Sequence, residues 1–270
     1  MINKNKIGFM QGRLSSVIRN KIQAFPISSW KKEFFFGNKI GFTNMEWTID
    51  NYDFHKNPII RKDGYKEISH LCEKFSIKIP SITADFFMED KYFEKERIKT
   101  YSKFHNFLEK CSKNKIKTIV LPLVDNSSIS SNLDYLRILI EDFRSLKRVI
   151  KKLGLELAFE TDLDPNQNSE FVKKLNSSVF GINYDIGNSV GYGFKYRQEI
   201  NLLLKFIKNI HIKNKKNNKT CNLFLGKANV KSIVNFALKK GYNKNFIFQT
   251  ARVKKNHCDI MKKYYKYFTY

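Results

Sequence analysis

The chain has 270 residues, of which 42% are hydrophobic, and its 50 Lys and Arg residues against 25 Asp and Glu residues give a formal net charge of +25. This length fits one large domain or two smaller ones, and no apolar run approaches the ~20 residues needed to cross a bilayer, which excludes a membrane-spanning protein. The lysines are scattered rather than gathered on one segment, which argues against a nucleic-acid partner and favours anionic small molecules.

Short apolar runs alternate with stretches of helical periodicity along the whole chain. The predicted strands are residues 7–10, 44–48, 77–83, 118–123, 155–160, 181–185, 209–213 and 245–249. The predicted helices are residues 30–40, 65–75, 95–114, 134–153, 168–175, 197–207, 230–240 and 259–268. Ser29 is suited to cap the first helix and Gly41 to end it. Eight alternations without a linker predict an α/β protein, a single (β/α)₈ barrel over residues 1–270.

The cysteines indicate a reducing compartment. Four cysteines are far apart and form no CxxC pair, so disulfides and a thiolate zinc site are not expected. The first six residues are polar and lead into a strand, which predicts no signal peptide. We therefore expect a cytoplasmic protein, with the oligomeric state, a homo-oligomer included, left open.

Four of the predicted strands end in a side chain that can bind a metal ion. Glu160, Asp185, His211 and Gln249 each follow an apolar run. The carboxyl ends of parallel strands meet at one face of a barrel, so this pattern predicts a metal site there. Each residue also has an ordinary interpretation: a solvated acid, a cap of the turn at Gly187, a packed histidine and a neutral amide.

Six short motifs resemble the sugar-phosphate isomerase/epimerase group of the xylose isomerase-like TIM barrels. They are Met10-Gln-Gly-Arg-Leu14, Glu46-Trp-Thr48, Ala84-Asp-Phe-Phe-Met88, Tyr184-Asp-Ile-Gly-Asn188, Ile210-His-Ile-Lys213 and Gln249-Thr-Ala-Arg252. The resemblance spans residues 6–252. It implies a divalent ion (Mn, Mg, Co or Zn) held by Glu160, Asp185, His211 and Gln249, and a sugar or sugar phosphate as the partner.

The chain departs from that family at two positions. Asn188 stands where the superfamily often has a histidine, and Gln249 stands where ketose 3-epimerases have a glutamate. An amide oxygen can bind a hard cation, but it carries no charge and cannot act as a base.

The chemistry that the resemblance implies moves a proton between neighbouring carbons through an enediol. This reaction needs a metal to polarise the carbonyl and a carboxylate base. Because Gln249 cannot serve as a base, Glu160 is the predicted one, which favours a one-base isomerisation over a two-base epimerisation. Glu46 or Asp85 could supply a second base, and Lys213 could neutralise an oxyanion.

Other residues are candidates for binding the substrate. Arg13 and Arg252 carry guanidinium groups that suit a phosphate or a carboxylate, with a surface salt bridge as the alternative. Glu46, Trp47 and Asp85 are predicted to line the mouth of the barrel, with structural roles as the alternative. Trp47, Asp85 and Asn188 are further candidates for substrate binding. The lysine-rich run at residues 213–219 is interpreted as a solvated, mobile loop.

Two further functions stay open. A barrel that has lost catalysis and only binds a sugar phosphate is consistent with Gln249 and Asn188. An abasic-site endonuclease would share the fold and suit the positive charge. Enzymes of that kind, however, have trinuclear zinc sites rich in histidine. This chain has only five histidines, and Asn214 stands after His211 where a second ligand histidine would be expected.

Overall fold

Eight parallel strands close into a barrel, as the sequence predicts. The computed structural model describes residues 1–18, 21, 23–90, 97–130 and 132–270. The strands are β1 (Ile7–Met10), β2 (Asn44–Ile49), β3 (Lys78–Ala84), β4 (Thr118–Leu123), β5 (Glu156–Thr161), β6 (Phe180–Asp185), β7 (Ile207–Ile212), β8 (Lys215–Lys216), β9 (Lys219–Thr220) and β10 (Asn245–Phe248). Strands β8 and β9 form an antiparallel hairpin, and the others follow the order β1-β10-β7-β6-β5-β4-β3-β2 around the barrel.

The helices connect successive strands on the outside of the barrel. They are α1 (Trp30–Ile40), α2 (Gly64–Phe75), α3 (Asp85–Glu89), α4 (Arg97–Lys113), α5 (Leu133–Lys152), α6 (Pro165–Leu175), α7 (Ile186–Gly191), α8 (Tyr196–Leu203), α9 (Val230–Lys239) and α10 (His257–Thr269). The predicted start of α4 at Lys95 lies outside the described residues. None of the helices in the described ranges is long and apolar enough to cross a membrane.

Local signals explain where the helices differ from the prediction. Helix α6 begins at Pro165, three residues early, because Asp164 caps it and exchanges hydrogen bonds with Gln167 in a capping box. Ser29 stands at the start of α1 but makes no cap, since its Oγ donates to Ser15 Oγ at 3.0 Å. Gly41 ends α1 as predicted, with a φ of 109° that favours glycine.

Trp47 lies outside the barrel wall. Its ring centroid lies 5.5 Å from that of Trp30 and 5.6 Å from that of Phe25. Its Nε1 donates to Asn57 Oδ1 at 3.0 Å, and the side chain is fully buried. Side chains alternate along a strand, so Trp47 faces the helices because its neighbour Glu46 faces the barrel interior. The structure therefore corrects the predicted substrate contact of Trp47 to a core contact between β2 and α1.

The barrel interior is polar beneath its open end. Ser81 and Thr83 on β3, and Asn209 on β7, donate hydrogen bonds to Glu46 on β2. Asn209 also donates to Asn183 Oδ1 on β6 at 2.9 Å. Hydrogen bonding removes most of the cost of burying these groups. The carboxyl end of the barrel thus rests on a hydrogen-bonded layer in place of packed aliphatic side chains.

Candidate active site

Three of the predicted metal ligands converge at the carboxyl end of the barrel. Glu160 on β5, Asp185 at the end of β6 and His211 on β7 are all buried, and one ligand atom of each lies within 4.8 Å of the others. His211 Nδ1 is 3.3 Å from Glu160 Oε2 and 3.9 Å from Asp185 Oδ2. Asp185 and His211 are paired in register on neighbouring strands, which places their side chains side by side.

Glu46 orients the imidazole of His211. Glu46 Oε1 lies 2.7 Å from His211 Nε2, and the carboxylate also accepts from Ser81 and Thr83 at 2.7 Å each and from Asn209 at 2.9 Å. Glu46 is completely buried and is not part of the cavity wall. This corrects its predicted place at the mouth: Glu46 is the partner of His211 in the barrel interior, and it leaves Nδ1 facing the two acids.

Two asparagines hold Glu160. Asn183 Nδ2 donates to Glu160 Oε2 at 2.8 Å, and Asn188 Nδ2 donates to Glu160 Oε1 at 2.6 Å. Asn188, one of the predicted substrate-binding residues, lies on α7 and borders the cavity. Both carboxylate oxygens therefore have a neutral donor, which fixes the orientation of the group without removing its charge.

Asp185 combines two of the roles considered for it. Its Oδ1 caps α7 by accepting the backbone N–H of Asn188 at 2.7 Å, while its Oδ2 accepts from Lys213 Nζ at 3.0 Å. A Cβ at Gly187 would lie 2.8 Å from Lys213 Cγ, so a glycine is needed there for the lysine to pass. The Lys213 ammonium consequently lies beside the acidic pair.

The charges of these groups support one another. Burial lowers the pKa of His211, but Glu46 and Glu160 outweigh it and raise this pKa to about 10. Burial alone would raise the pKa of Glu160. The nearby His211, and to a lesser degree Lys213, outweigh this effect, so the pKa of Glu160 lies below its ordinary value. Burial raises the pKa of Asp185, with Lys213 opposing. The neighbouring cationic groups therefore favour the charged form of Glu160.

A cavity of about 320 Å³ opens above Glu160. Its cationic lining residues are Arg13, Lys213, Lys215 and Lys219, and its carboxyl residues are Asp85, Asp125 and Glu160. The hairpin β8–β9 forms one wall, with Asn217 and Asn218 in left-handed conformations at its turn. The run at residues 213–219, interpreted from sequence as a mobile loop, thus contains an ordered hairpin at the cavity.

Arg13, Asp85 and Gln249 line this cavity and each has a buried polar atom without a partner among the described residues. These atoms are Arg13 Nη1, Asp85 Oδ2 and Gln249 Oε1. Gln23 connects the three residues, because it accepts from Arg13 Nη2 at 3.1 Å and donates to Asp85 Oδ1 at 3.2 Å, while Gln249 Nε2 lies 3.4 Å from its Oε1. Unpaired buried atoms of this kind suit a ligand.

Arg252 does not line the cavity. Its Nη1 donates to Ala24 O at 3.2 Å and its Nη2 donates to Ser16 O at 2.7 Å. Both acceptors belong to the segment between β1 and α1, so Arg252 connects this segment to the residues that follow β10. The structure thus corrects its predicted substrate contact, since both guanidinium arms are occupied by backbone carbonyls.

Four residues were not predicted from the sequence: Gln23, Asn183 and Asn209 of this site, and Glu33, which bonds the residues on either side of Arg13. Asn183 and Asn209 stand two residues before Asp185 and His211, and this spacing places them on the same inward face of their strands. Glu33 is buried in the first turn of α1, where its carboxylate accepts the backbone N–H groups of Gly12 and Leu14. Nothing in the local sequence distinguishes Glu33 from a surface residue.

The donor set fits a divalent cation. Glu160 and Asp185 provide anionic oxygens, and the imidazole of His211 provides a nitrogen whose opposite ring atom is bound to a carboxylate, an arrangement common among metal-binding histidines. The unpaired Oε1 of Gln249 in the same cavity adds a neutral oxygen of the kind that hard cations accept.

Comparisons with known proteins agree with this fold. A family model described as a xylose isomerase-like TIM barrel matches residues 36–263. No curated protein matches the chain in a sequence search.

Solved structures resemble the chain at low sequence identity. A xylose isomerase domain protein from Planctomyces limnophilus has a TM-score of 0.76 and 14% identity, over 98% of this chain and 96% of its own. The IolI protein with a bound zinc atom has a TM-score of 0.73 and 15% identity, over 96% and 95%. The 3-keto-D-glucoside 4-epimerase of E. coli has a TM-score of 0.74 and 13% identity, over 97% and 98%. At these identities the likeness shows the fold alone.

Proposed function

Because the chain belongs to the xylose isomerase-like TIM-barrel family, we propose that it is a divalent-metal-dependent isomerase of a sugar or sugar phosphate, with Glu160 as its base. The observation that carries this proposal is the convergence of Glu160, Asp185 and His211 within 4.8 Å of one another. Two structural relatives add support, since one is a sugar epimerase and another binds zinc.

The side chains would divide the chemistry among them. Glu160 takes the proton from the hydroxyl-bearing carbon next to the substrate carbonyl, and the released electron pair forms the enediol double bond. The same carboxylate then returns the proton to the former carbonyl carbon, while a hydroxyl proton moves between the two oxygens. Glu160, Asp185 and His211, with Gln249 as a further donor, would hold a divalent cation, and such a cation would supply polarisation of the carbonyl. Lys213 adds positive charge beside the developing oxyanion.

The cavity favours one base over two. Glu46 is enclosed by its four partners and cannot reach a substrate. Asp85 lines the cavity, but burial raises the pKa of its carboxyl well above the ordinary value, which suits an acid better than a base. Isomerisation between an aldose and a ketose needs only Glu160, so we place it ahead of epimerisation.

Metal content and proton exchange test this proposal. The protein would be purified, analysed for bound metal, loaded with Mn²⁺, Mg²⁺, Co²⁺ or Zn²⁺, and incubated in D₂O with pentoses, hexoses and their phosphates. We expect about one metal ion per chain and deuterium at the carbon next to the carbonyl, detected by NMR. A protein that binds no divalent metal and exchanges no substrate proton would overturn the assignment.

A second candidate is a barrel that binds a sugar phosphate without catalysis. It is favoured because the two acids already have hydrogen-bond partners and do not need a metal ion to satisfy them: Lys213 donates to Asp185, and two asparagines donate to Glu160. Absence of metal together with tight binding of a sugar phosphate would select this candidate. The endonuclease alternative finds no such support, because the other four histidines lie away from the strands: His70, His105 and His257 on α2, α4 and α10, and His55 in the connection between β2 and α2.

A further inference from the structure

The guanidinium group of Arg13 is buried in the cavity wall without a neutralising partner. Arg13 is 3% exposed, its Nε donates to Thr250 O at 2.8 Å, and its Nη2 donates to Gln23 Oε1 at 3.1 Å. Both acceptors are neutral. Nη1 has no acceptor among the described residues, and none of their carboxylates forms a salt bridge with Arg13. A buried charge without a counter-ion is unfavourable, so an anion bound at Nη1 would stabilise it.

The nearest acid of the cavity does not provide that counter-ion. Asp85 Oδ1 accepts from Gln23 Nε2 at 3.2 Å, and its Oδ2 is buried without a partner. Burial raises the pKa of this carboxyl well above its ordinary value, with Glu89, Asp50 and Glu160 adding to the rise. Burial thus favours the neutral form of Asp85, and its one hydrogen bond goes to Gln23 and not to Arg13, so Asp85 forms no ion pair with Arg13.

The cavity has room for a ligand that reaches from Arg13 and Asp85 to Glu160. Arg13 follows β1 and Asp85 follows β3, whereas Glu160 lies on β5, four strands away from β1 in the eight-stranded order. Between them lies the cavity of about 320 Å³. Lys215 and Lys219 on the hairpin wall add positive charge at its rim.

We propose that the site accepts sugars that carry an oxyanion group, a phosphate or a carboxylate, which binds Arg13 Nη1 beside Asp85 while the reacting carbons face Glu160. This inference rests on the proposed function for its sugar backbone, but the anion subsite is defined by its own residues. Because Nε and Nη2 of Arg13 are already bonded, Nη1 is the group that donates to an oxygen of either anion, in a charge-assisted hydrogen bond. Neutral sugars would leave its charge buried and unpaired, so they are discriminated against.

The second arginine of the sequence analysis provides a matched control. Arg252 has the same side chain and lies near the same segment, but its guanidinium arms bond Ala24 O and Ser16 O and it does not line the cavity. Replacing Arg252 perturbs the segment between β1 and α1 without removing charge from the cavity wall. Replacing Arg13 does both.

The test is calorimetric binding of three non-reacting probes, ribitol, ribitol 5-phosphate and ribonate, to the purified protein with and without added divalent metal. We expect at least one of the two anions to bind roughly tenfold or more tightly than ribitol, the scale of one charge-assisted hydrogen bond. Arg13→Gln should remove most of this preference and Arg252→Gln should retain it. Comparison of the two anions identifies which group the site takes.

Several outcomes would overturn the proposal. Equal affinity of the wild-type protein for all three probes would do so, and so would an anion preference that persists in folded Arg13→Gln. If circular dichroism shows that Arg13→Gln does not fold, Arg13→Lys replaces it. This variant keeps the charge but loses the N–H groups that Nη1 presents, so it should show a reduced preference. Glu160→Gln should keep the preference, so failure of catalysis and failure of the anion subsite give different results.

Discussion

Glu46 Oε1 and His211 Nε2 lie 2.7 Å apart in the barrel interior, although 165 residues separate them along the chain. This contact determines which ring nitrogen of His211 faces Glu160 and Asp185. The carboxylate is itself held by three further donors, so the imidazole has one orientation. An ordered partner of this kind raises the basicity of a metal-binding histidine.

Glu46→Gln should weaken metal binding. The amide keeps the shape of the side chain but removes its charge, and its NH₂ group must face a hydrogen-bond donor. Loss of a carboxylate behind a ligating histidine typically lowers metal affinity by about 10–100-fold. Titration of Zn²⁺ against a competing chelator measures this change. Ser81→Ala removes one donor from Oε2 of Glu46, the oxygen that does not contact His211, and should lower metal affinity less. Equal metal affinities of wild type and Glu46→Gln would contradict the proposed arrangement.

Glu160→Gln should abolish proton exchange. Removal of a catalytic base typically lowers the rate by about 10²–10⁴-fold, and the comparison is made by NMR in D₂O at saturating metal. Glu156→Gln is the control, because Glu156 lies on the same strand at the opposite end, where it bonds Thr118 and Lys208. Retained exchange in Glu160→Gln would remove this residue as the base.

Asn214→Ala should loosen the hairpin wall of the cavity. Asn214 is buried and its side chain donates to Leu223 O and Ala228 O and accepts from the N–H groups of Lys215 and Ala228. Leaving these groups unpaired costs about 1–3 kcal/mol for each that stays buried. We expect KM for the substrate to rise more than kcat falls. Asn217→Gly, which suits the left-handed turn residue, should resemble wild type, and unchanged KM in Asn214→Ala would show that the hairpin does not contact the substrate.

Stability should fall with rising pH because of Glu33. Burial raises the pKa of Glu33 to about 7 from an ordinary 4.5. The folded state therefore keeps a proton that the unfolded state releases, and this contribution is complete below pH 4.5 and lost as the pH rises to about 7. At 1.36 kcal/mol per unit over about 2.5 units, the loss is roughly 3 kcal/mol.

Urea unfolding of wild type and Glu33→Gln between pH 4 and 8 measures this term. The difference in free energy of unfolding, wild type minus variant, should decrease across that range. Glu67→Gln serves as a control, because Lys31 and Arg61 lower the pKa of this surface carboxyl. The difference in free energy of unfolding between wild type and Glu67→Gln should therefore increase slightly with pH. A pH-independent difference for Glu33→Gln would show that the carboxyl is ionised in the folded protein.

Much of the fold and the centre of the site could be predicted because they depend on local patterns. The apolar strands ending at Glu160 and Asp185, and His211 between two isoleucines, carry the period-two pattern of barrel strands. Strand order then follows from the alternation of strands and helices, which brings the three strand ends to one face.

The remainder depends on contacts between distant segments. Trp47 and Glu46 are adjacent in sequence, and only the register of β2 decides which one faces the interior. By sequence, Arg13 and Arg252 are equally good candidates for binding an anion. Only the packing of the segment after β1 shows that Arg13 lines the cavity and Arg252 does not. The hairpin at residues 215–220 is a lysine-rich run by composition, and its order comes from Asn214 and from two asparagines in left-handed conformations.

The cationic groups next to Glu160 and Asp185 affect whether the protein needs a metal ion to fold. His211 and Lys213 offset the two acids within the polypeptide itself, so closing the barrel does not bring together uncompensated negative charges. The charges of this cluster therefore offset one another in the folded chain without a bound cation. For a metal-dependent isomerase of the proposed kind, the supply of metal in the cell, and not the yield of folding, would then set how many finished molecules are active.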